Sequence, residues 1–132
     1  MEPQINADER RSAINAAAER IIGGAQQVSN ALGNGFLEKV YENALAIELK
    51  RPGLKTKPQH PISVRYAGET VGEYVADLLV ENAVLVEVKA VRALDEVHRA
   101  QCLNYLATGL PACLLLNFGN PKLEIKRLVH GF

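Results

Sequence analysis

The sequence predicts an α/β fold: a mixed sheet, made of a three-stranded antiparallel meander plus a parallel crossover strand, flanked by helices. Three observations predict it. The N-terminal part of the chain carries two apolar stripes at helical spacing. Residues 62–89 hold three short apolar runs separated by turn signals. Residues 84–118 read strand, helix, strand, and a crossover of that kind sets its two strands parallel with a right-handed connection.

The chain has 132 residues, which suits one domain over residues 1–132, with residues 1–10 a loose polar lead-in. Fifteen Lys and Arg balance fifteen Asp and Glu, so binding to nucleic acid must come from a local patch and not from a global field. The start, MEPQINADERR, lacks the apolar segment of a secretory signal. No apolar run approaches the roughly 18 residues of a membrane span, so no membrane partner is expected. Cys102 and Cys113 sit in apolar surroundings without CxxC spacing, as reduced core residues of a cytoplasmic protein do. His60, His98 and His130 form no metal-ligand spacing.

Ile14, Ala18, Ile21, Ala25, Val28 and Leu32 recur at spacings of three and four, which predicts a helix over about 11–32. Gly23 and Gly24 weaken it and call for close packing against a neighbour. Gly33-Asn34-Gly35 ends it. A second helix follows over about 37–50, with Leu37, Val40, Ala44 and Ile47 as its apolar stripe and Tyr41, Leu45 and Leu49 flanking it. Arg51-Pro52-Gly53 stops this helix, and Leu54–Pro61 reads as an extended linker.

Ile62, Val64 and Tyr66 alternate with polar residues as a half-buried strand, and Ala67-Gly68 turns the chain. Asp95 is a candidate N-cap for a third helix over about 95–108. Ala112–Phe118 is continuously apolar, as a strand buried on both faces would be. A last alternating strand covers Leu123–Val129.

The stretch Glu73–Ala90, EYVADLLVENAVLVEVKA, holds the strongest chemical signal. It reads as two apolar strands around a polar turn at Glu81-Asn82-Ala83. Asp77 interrupts the first, although Asp is a poor strand former and is seldom buried without a partner. Glu87 and Lys89 are two apart in the second strand and share a face. A three-residue loop pairs Val80 with Val84 and sets Asp77 directly opposite Glu87, and two carboxylates that close repel unless a proton or a cation lies between them. A hard cation such as Mg²⁺ suits such a site. A two-residue loop would set Asp77 against Val88 and leave an ordinary solvated sheet face.

Three weaker constellations accompany it. Glu38 and Tyr41 are three apart at the start of the second helix, where the plain alternative is a Glu serving the helix dipole and a packed Tyr. His98, Gln101 and Tyr105 form a polar, uncharged stripe on the third helix, suited to a nucleotide or phosphate or equally to solvent. Lys39, Lys50, Arg51, Lys55, Lys57, Arg65, Lys122, Lys126 and Arg127 could meet phosphates, although acidic residues are interleaved among them.

Gly35-x-x-Glu38-x-x-Tyr41 resembles the motif that names the GxxExxY proteins. Ala76-Asp77 followed by Glu87-Val88-Lys89 resembles the core of the PD-(D/E)XK nuclease superfamily, with Ala76 in the place of the proline. Gln101-x-x-x-Tyr105 looks like the QxxxY signature of that superfamily's helicase-linked exonuclease branch. The likeness runs from about Ile21 to the C-terminus; one departure is that Val28–Ala31 holds no histidine where relatives often have one. It implies a restriction-endonuclease-like fold. It also implies that Asp77, Glu87 and the Val88 carbonyl hold Mg²⁺ or Mn²⁺, and that Glu38 assists them from the helix. Lys89 would orient or activate the attacking water, and Gln101 and Tyr105, with Tyr41 and His98 beside them, would line the substrate side.

The function expected is therefore metal-dependent hydrolysis of phosphodiester bonds in DNA or RNA. The alternative is a non-catalytic nuclease-like module that binds nucleic acid or protein. A homo-oligomer is compatible with the sequence but would need an exposed apolar patch.

Overall fold

The structure, a computed structural model, describes residues 6–129. Its elements are α1 (Ala7–Leu32), α2 (Glu38–Lys50), β1 (Thr56–Tyr66), β2 (Glu69–Val80), β3 (Val84–Lys89), α3 (Glu96–Leu106), β4 (Ala112–Asn117) and β5 (Glu124–Val129). The strands form one sheet in the order β1-β2-β3-β4-β5. The pairs β1–β2, β2–β3 and β4–β5 are antiparallel, and β3–β4, bridged by α3, is parallel. This is the α/β architecture expected. No helix among the described residues is long and apolar enough to cross a membrane.

The sheet separates two apolar layers. On one face α1 and α2 cover Leu78, Val80, Val84, Val86, Val88, Leu114 and Leu116. On the other, Cys102, Tyr105 and Leu106 of α3 pack on Ala76, Leu79, Leu85, Cys113 and Leu115. β3 and β4 are apolar on both faces because helices lie on both. Both cysteines are free and buried. Gly24 supplies the close approach its position calls for: a Cβ there would stand 3.0 Å from the Leu49 side chain on α2, whereas one on Gly23 would meet nothing.

Three expectations need correction. Part of the expected lead-in lies outside the described residues, but 7–10 are already helical, capped by Asn6, whose side chain accepts from the Glu9 amide. On α2 the expected stripe is the exposed one: Leu37 and Ile47 are 81 % and 63 % exposed, while Tyr41, Leu45 and Leu49 are buried. Apolar residues cover more than one stripe of this helix, so spacing alone could not choose between them; the stack of Tyr41 on Phe118, ring centroids 4.7 Å apart, goes with the face that is buried. Finally, the expected linker is strand. β1 starts at Thr56 and tolerates Pro58 and Pro61 because it lies at the sheet edge, where a missing N–H costs no ladder bond.

Candidate functional site

The turn after β2 has positive φ at Glu81 and Asn82, and Val80 pairs with Val84. Leu78 then faces Val86, and the same count sets Asp77 opposite Glu87. The ladder between β2 and β3 ends at Leu78. Beyond it, amides that point across the gap bond to carboxylates. The Asp77 N–H donates to Glu87 Oε1 at 3.2 Å, and the Val88 N–H donates to Asp77 Oδ2 at 2.7 Å.

The opposite edge of β2 opens at the same residue. Pro58 pairs with Leu78 and His60 with Ala76, but Gln59, which faces Asp77, is unpaired and has φ 55°. A left-handed conformation is costly for a residue with a side chain and tends to mark functional sites. Face alternation slips here too: Ala76 packs toward α3 while Leu78 packs toward α1 and α2. Asp77 is thus held at a kink where neither neighbouring strand bonds regularly.

The third carboxylate is Glu42 on α2, which is buried although charged. Its Oε2 accepts from Lys39 Nζ and from Gln59 Nε2, each at 2.7 Å, and its carboxylate adds to the upward push on Asp77. Sequence reasoning passed over both Glu42 and Gln59. Glu42 had a signal, since Glu42, Leu45 and Leu49 share one helical stripe and the charge interrupts it; the conformation of Gln59 had none.

Burial opposes charge in this cluster. It pushes Glu87 up to about 8, with the Asp77 carboxylate adding to the effect and the Asp77 amide opposing it. It pushes Asp77 up to about 6, against the pull of the Val88 amide, with Glu42 raising it further. Lys89, half-buried at the end of β3, lowers both. Burial and the charge of Glu87 raise Tyr105 to about 12, and its hydroxyl accepts from Gln101 Nε2 at 2.9 Å.

The remaining expected residues have other surroundings, apart from Lys39. Glu38 is exposed on the first turn of α2, one turn before Glu42. Tyr41 is fully buried, and its hydroxyl donates to the Gly33 carbonyl at 2.7 Å and accepts from the Phe36 amide at 3.1 Å, which fixes the glycine loop between α1 and α2. His98 Nδ1 accepts from the Asp95 amide while Asp95 caps α3 in return, so this His serves the helix start. Of the basic residues, Lys39 and Arg51 are ion-paired with Glu42 and Glu48, and Lys57, Arg65 and Arg127 bond to Asn82, the Gly68 carbonyl and Asn15.

The loop after Lys89 is pinned. Asn117, fully buried and in register with Lys89, receives the Val91 amide and donates to the Val91 carbonyl. Its amide also reaches Glu124, and the Phe118 amide bonds to the Lys89 carbonyl. Gly119 lies so close that a Cβ would stand 2.0 Å from the Val91 oxygen.

Among the described residues no three His, Cys, Asp or Glu side chains are already grouped to hold a metal ion. The donor set nevertheless fits a hard divalent cation. It is all oxygen, and each of Asp77 and Glu87 spends only one carboxylate oxygen on the neighbouring backbone. A cation would also offset the unfavourable charge that raises both groups.

No curated protein and no solved structure matches the chain in comparison. A family model does: residues 15–128 match the PD-(D/E)XK nuclease superfamily, a span that contains the kinked strand, Glu87-Val88-Lys89 and α3. The chain belongs to the PD-(D/E)XK nuclease superfamily.

Proposed function

We propose that this chain is a single-domain, metal-dependent nuclease of the cytoplasm that hydrolyses phosphodiester bonds in nucleic acid, and that within the superfamily it is a GxxExxY protein. The observation that carries the reading is the confrontation of Asp77 and Glu87 across an opened ladder, with Glu42 beside them. Buried carboxylates held together at an energetic cost are common at working sites and seldom serve stability.

In this reading Asp77, Glu87 and the Val88 carbonyl hold Mg²⁺ or Mn²⁺, and Glu42 supplies the helix carboxylate in place of the exposed Glu38. When bound, the ion would polarise a phosphate oxygen and acidify a water. Lys89, on the Glu87 face of β3, orients the attacking water and stabilises the charge that grows on phosphorus. Gln101 fixes the Tyr105 hydroxyl, and the pair forms the substrate side.

Cleavage of single-stranded and duplex DNA and RNA, each with Mg²⁺ or Mn²⁺ and with Lys89→Ala in parallel, tests this. The expected loss in Lys89→Ala is about 100-fold or more. Equal rates in both proteins would remove Lys89 from the mechanism.

One observation favours a second reading, a non-catalytic nuclease-like binding module: the two carboxylates already satisfy each other's strands. Metal-free binding of nucleic acid without cleavage of any substrate would select it.

A further inference from the structure

β1 and β2 are far longer than the six-residue β3, and β2 pairs with β3 only from Leu78 to Val80. Outward of Ala76 the two strands pair only with each other and turn back at Ala67-Gly68. They form an arm that projects beyond the sheet. A groove of about 950 Å³ lies between this arm and α3.

Its chemistry is mixed in an informative way. The arm contributes Val64, Arg65 and Tyr74, and α3 contributes Val97, Gln101 and Asn104. Tyr74 is half exposed, its ring tilted 56° from that of Tyr105 with centroids 6.2 Å apart. Tyr105 also lines the groove and packs with Leu85, which shares the Glu87 face of β3, so the groove's inner end lies on the Glu87 face of the sheet. An accessible aromatic face, two amides and one guanidinium match a nucleobase, its polar edge and a phosphate.

We propose that this groove binds an unpaired strand of nucleic acid, with a base stacked on Tyr74 and its edge met by Asn104. Single-strandedness follows from the chemistry. Duplex DNA keeps its base faces inside the stack and offers only edges in its grooves, so no paired base can lie on Tyr74. Duplex binding also draws chiefly on many phosphate contacts, for which a chain of zero net charge is poorly equipped. Stacking asks for little charge. The inference rests on the nuclease reading only in where the groove leads.

Fluorescence anisotropy with a labelled ten-nucleotide DNA strand, the same RNA strand and a hairpin duplex of the same sequence tests it, in EDTA so that neither metal binding nor cleavage contributes. The expected result is single-strand affinity at least about tenfold above that for the duplex. Tyr74→Ala should lower it by about tenfold or more, the scale of one lost base stack, and Tyr74→Phe should retain it. Val97→Asp, a change at a solvent-exposed wall position, should weaken binding of both strands independently of Tyr74. The DNA and RNA arms report which sugar is preferred. Equal or tighter binding of the duplex, or unchanged affinity in Tyr74→Ala, would overturn the proposal. Loss of cleavage in the metal assay with strand binding intact would count against the nuclease reading alone.

Discussion

Asp77 and Glu87 exchange backbone for side chain: the amide of Asp77 bonds to the Glu87 carboxylate, and the amide following Glu87 bonds to the Asp77 carboxylate. The pair replaces ladder contacts between the strands with two bonds from backbone amides to carboxyl groups. It also sets the half-buried Asp77 against the buried Glu87, and the consequences can be measured.

Removing charge from the pair should stabilise the metal-free protein. Glu87→Gln keeps an oxygen for the Asp77 amide and deletes a carboxyl that burial raises to about 8. The expected gain in unfolding free energy at pH 8 is about 1–3 kcal/mol, read by urea denaturation, while cleavage is lost. A less stable variant would contradict the buried-charge account.

Stability of the metal-free protein should fall as pH rises. Asp77 goes from 3.8 to about 6 and Glu87 from 4.5 to about 8, so between those limits the folded state binds more protons than the unfolded one. Their contribution is complete below about pH 4 and is lost as pH climbs through about 6 and then about 8. Thermal melts at pH 5.5 and 8.5 should differ in that direction for these groups. The slope should flatten in the double variant Asp77→Asn/Glu87→Gln. Mg²⁺ should stabilise more at pH 8.5 than at pH 5.5, since the ion competes with protons.

Glu42 and Glu38 should separate cleanly. Titration calorimetry with Mn²⁺ on Glu42→Gln should show affinity reduced by about 10–100-fold, the scale for groups that support a metal site. Glu38→Gln, changed at an exposed position, should bind as the unaltered protein does. The reverse pattern would return the role to Glu38.

Tyr41→Phe should cost stability before activity. It removes the hydroxyl that holds the Gly33 carbonyl and the Phe36 amide, while the stack on Phe118 survives. About 1–2 kcal/mol is expected in denaturation, with metal affinity unchanged.

Much of this arrangement could be read from the residues. The turn at Glu81–Ala83 fixed the Val80–Val84 pair, and register then placed Asp77 by arithmetic. Asp95 announced the start of α3 as a good N-cap does. What escaped depended on contacts distant in sequence. The burial of Glu42 is decided by which stripe of α2 meets the sheet, and two apolar stripes competed for it. The left-handed backbone of Gln59 arises from a kink shared with Asp77, a tertiary event with no local spelling.

The clamp of Asn117 and Gly119 on Val91 divides the site into unequal halves. Lys89 and Glu87 ride on a strand flanked on one side by β4 and anchored at its exit, so they act as a fixed jaw. Asp77 and Gln59 sit where the sheet is already unzipped, and Glu42 reaches them from a separate helix. Any adjustment that a ligand demands should therefore fall on this second jaw, with the kinked strand and α2 closing toward a reference edge that does not move.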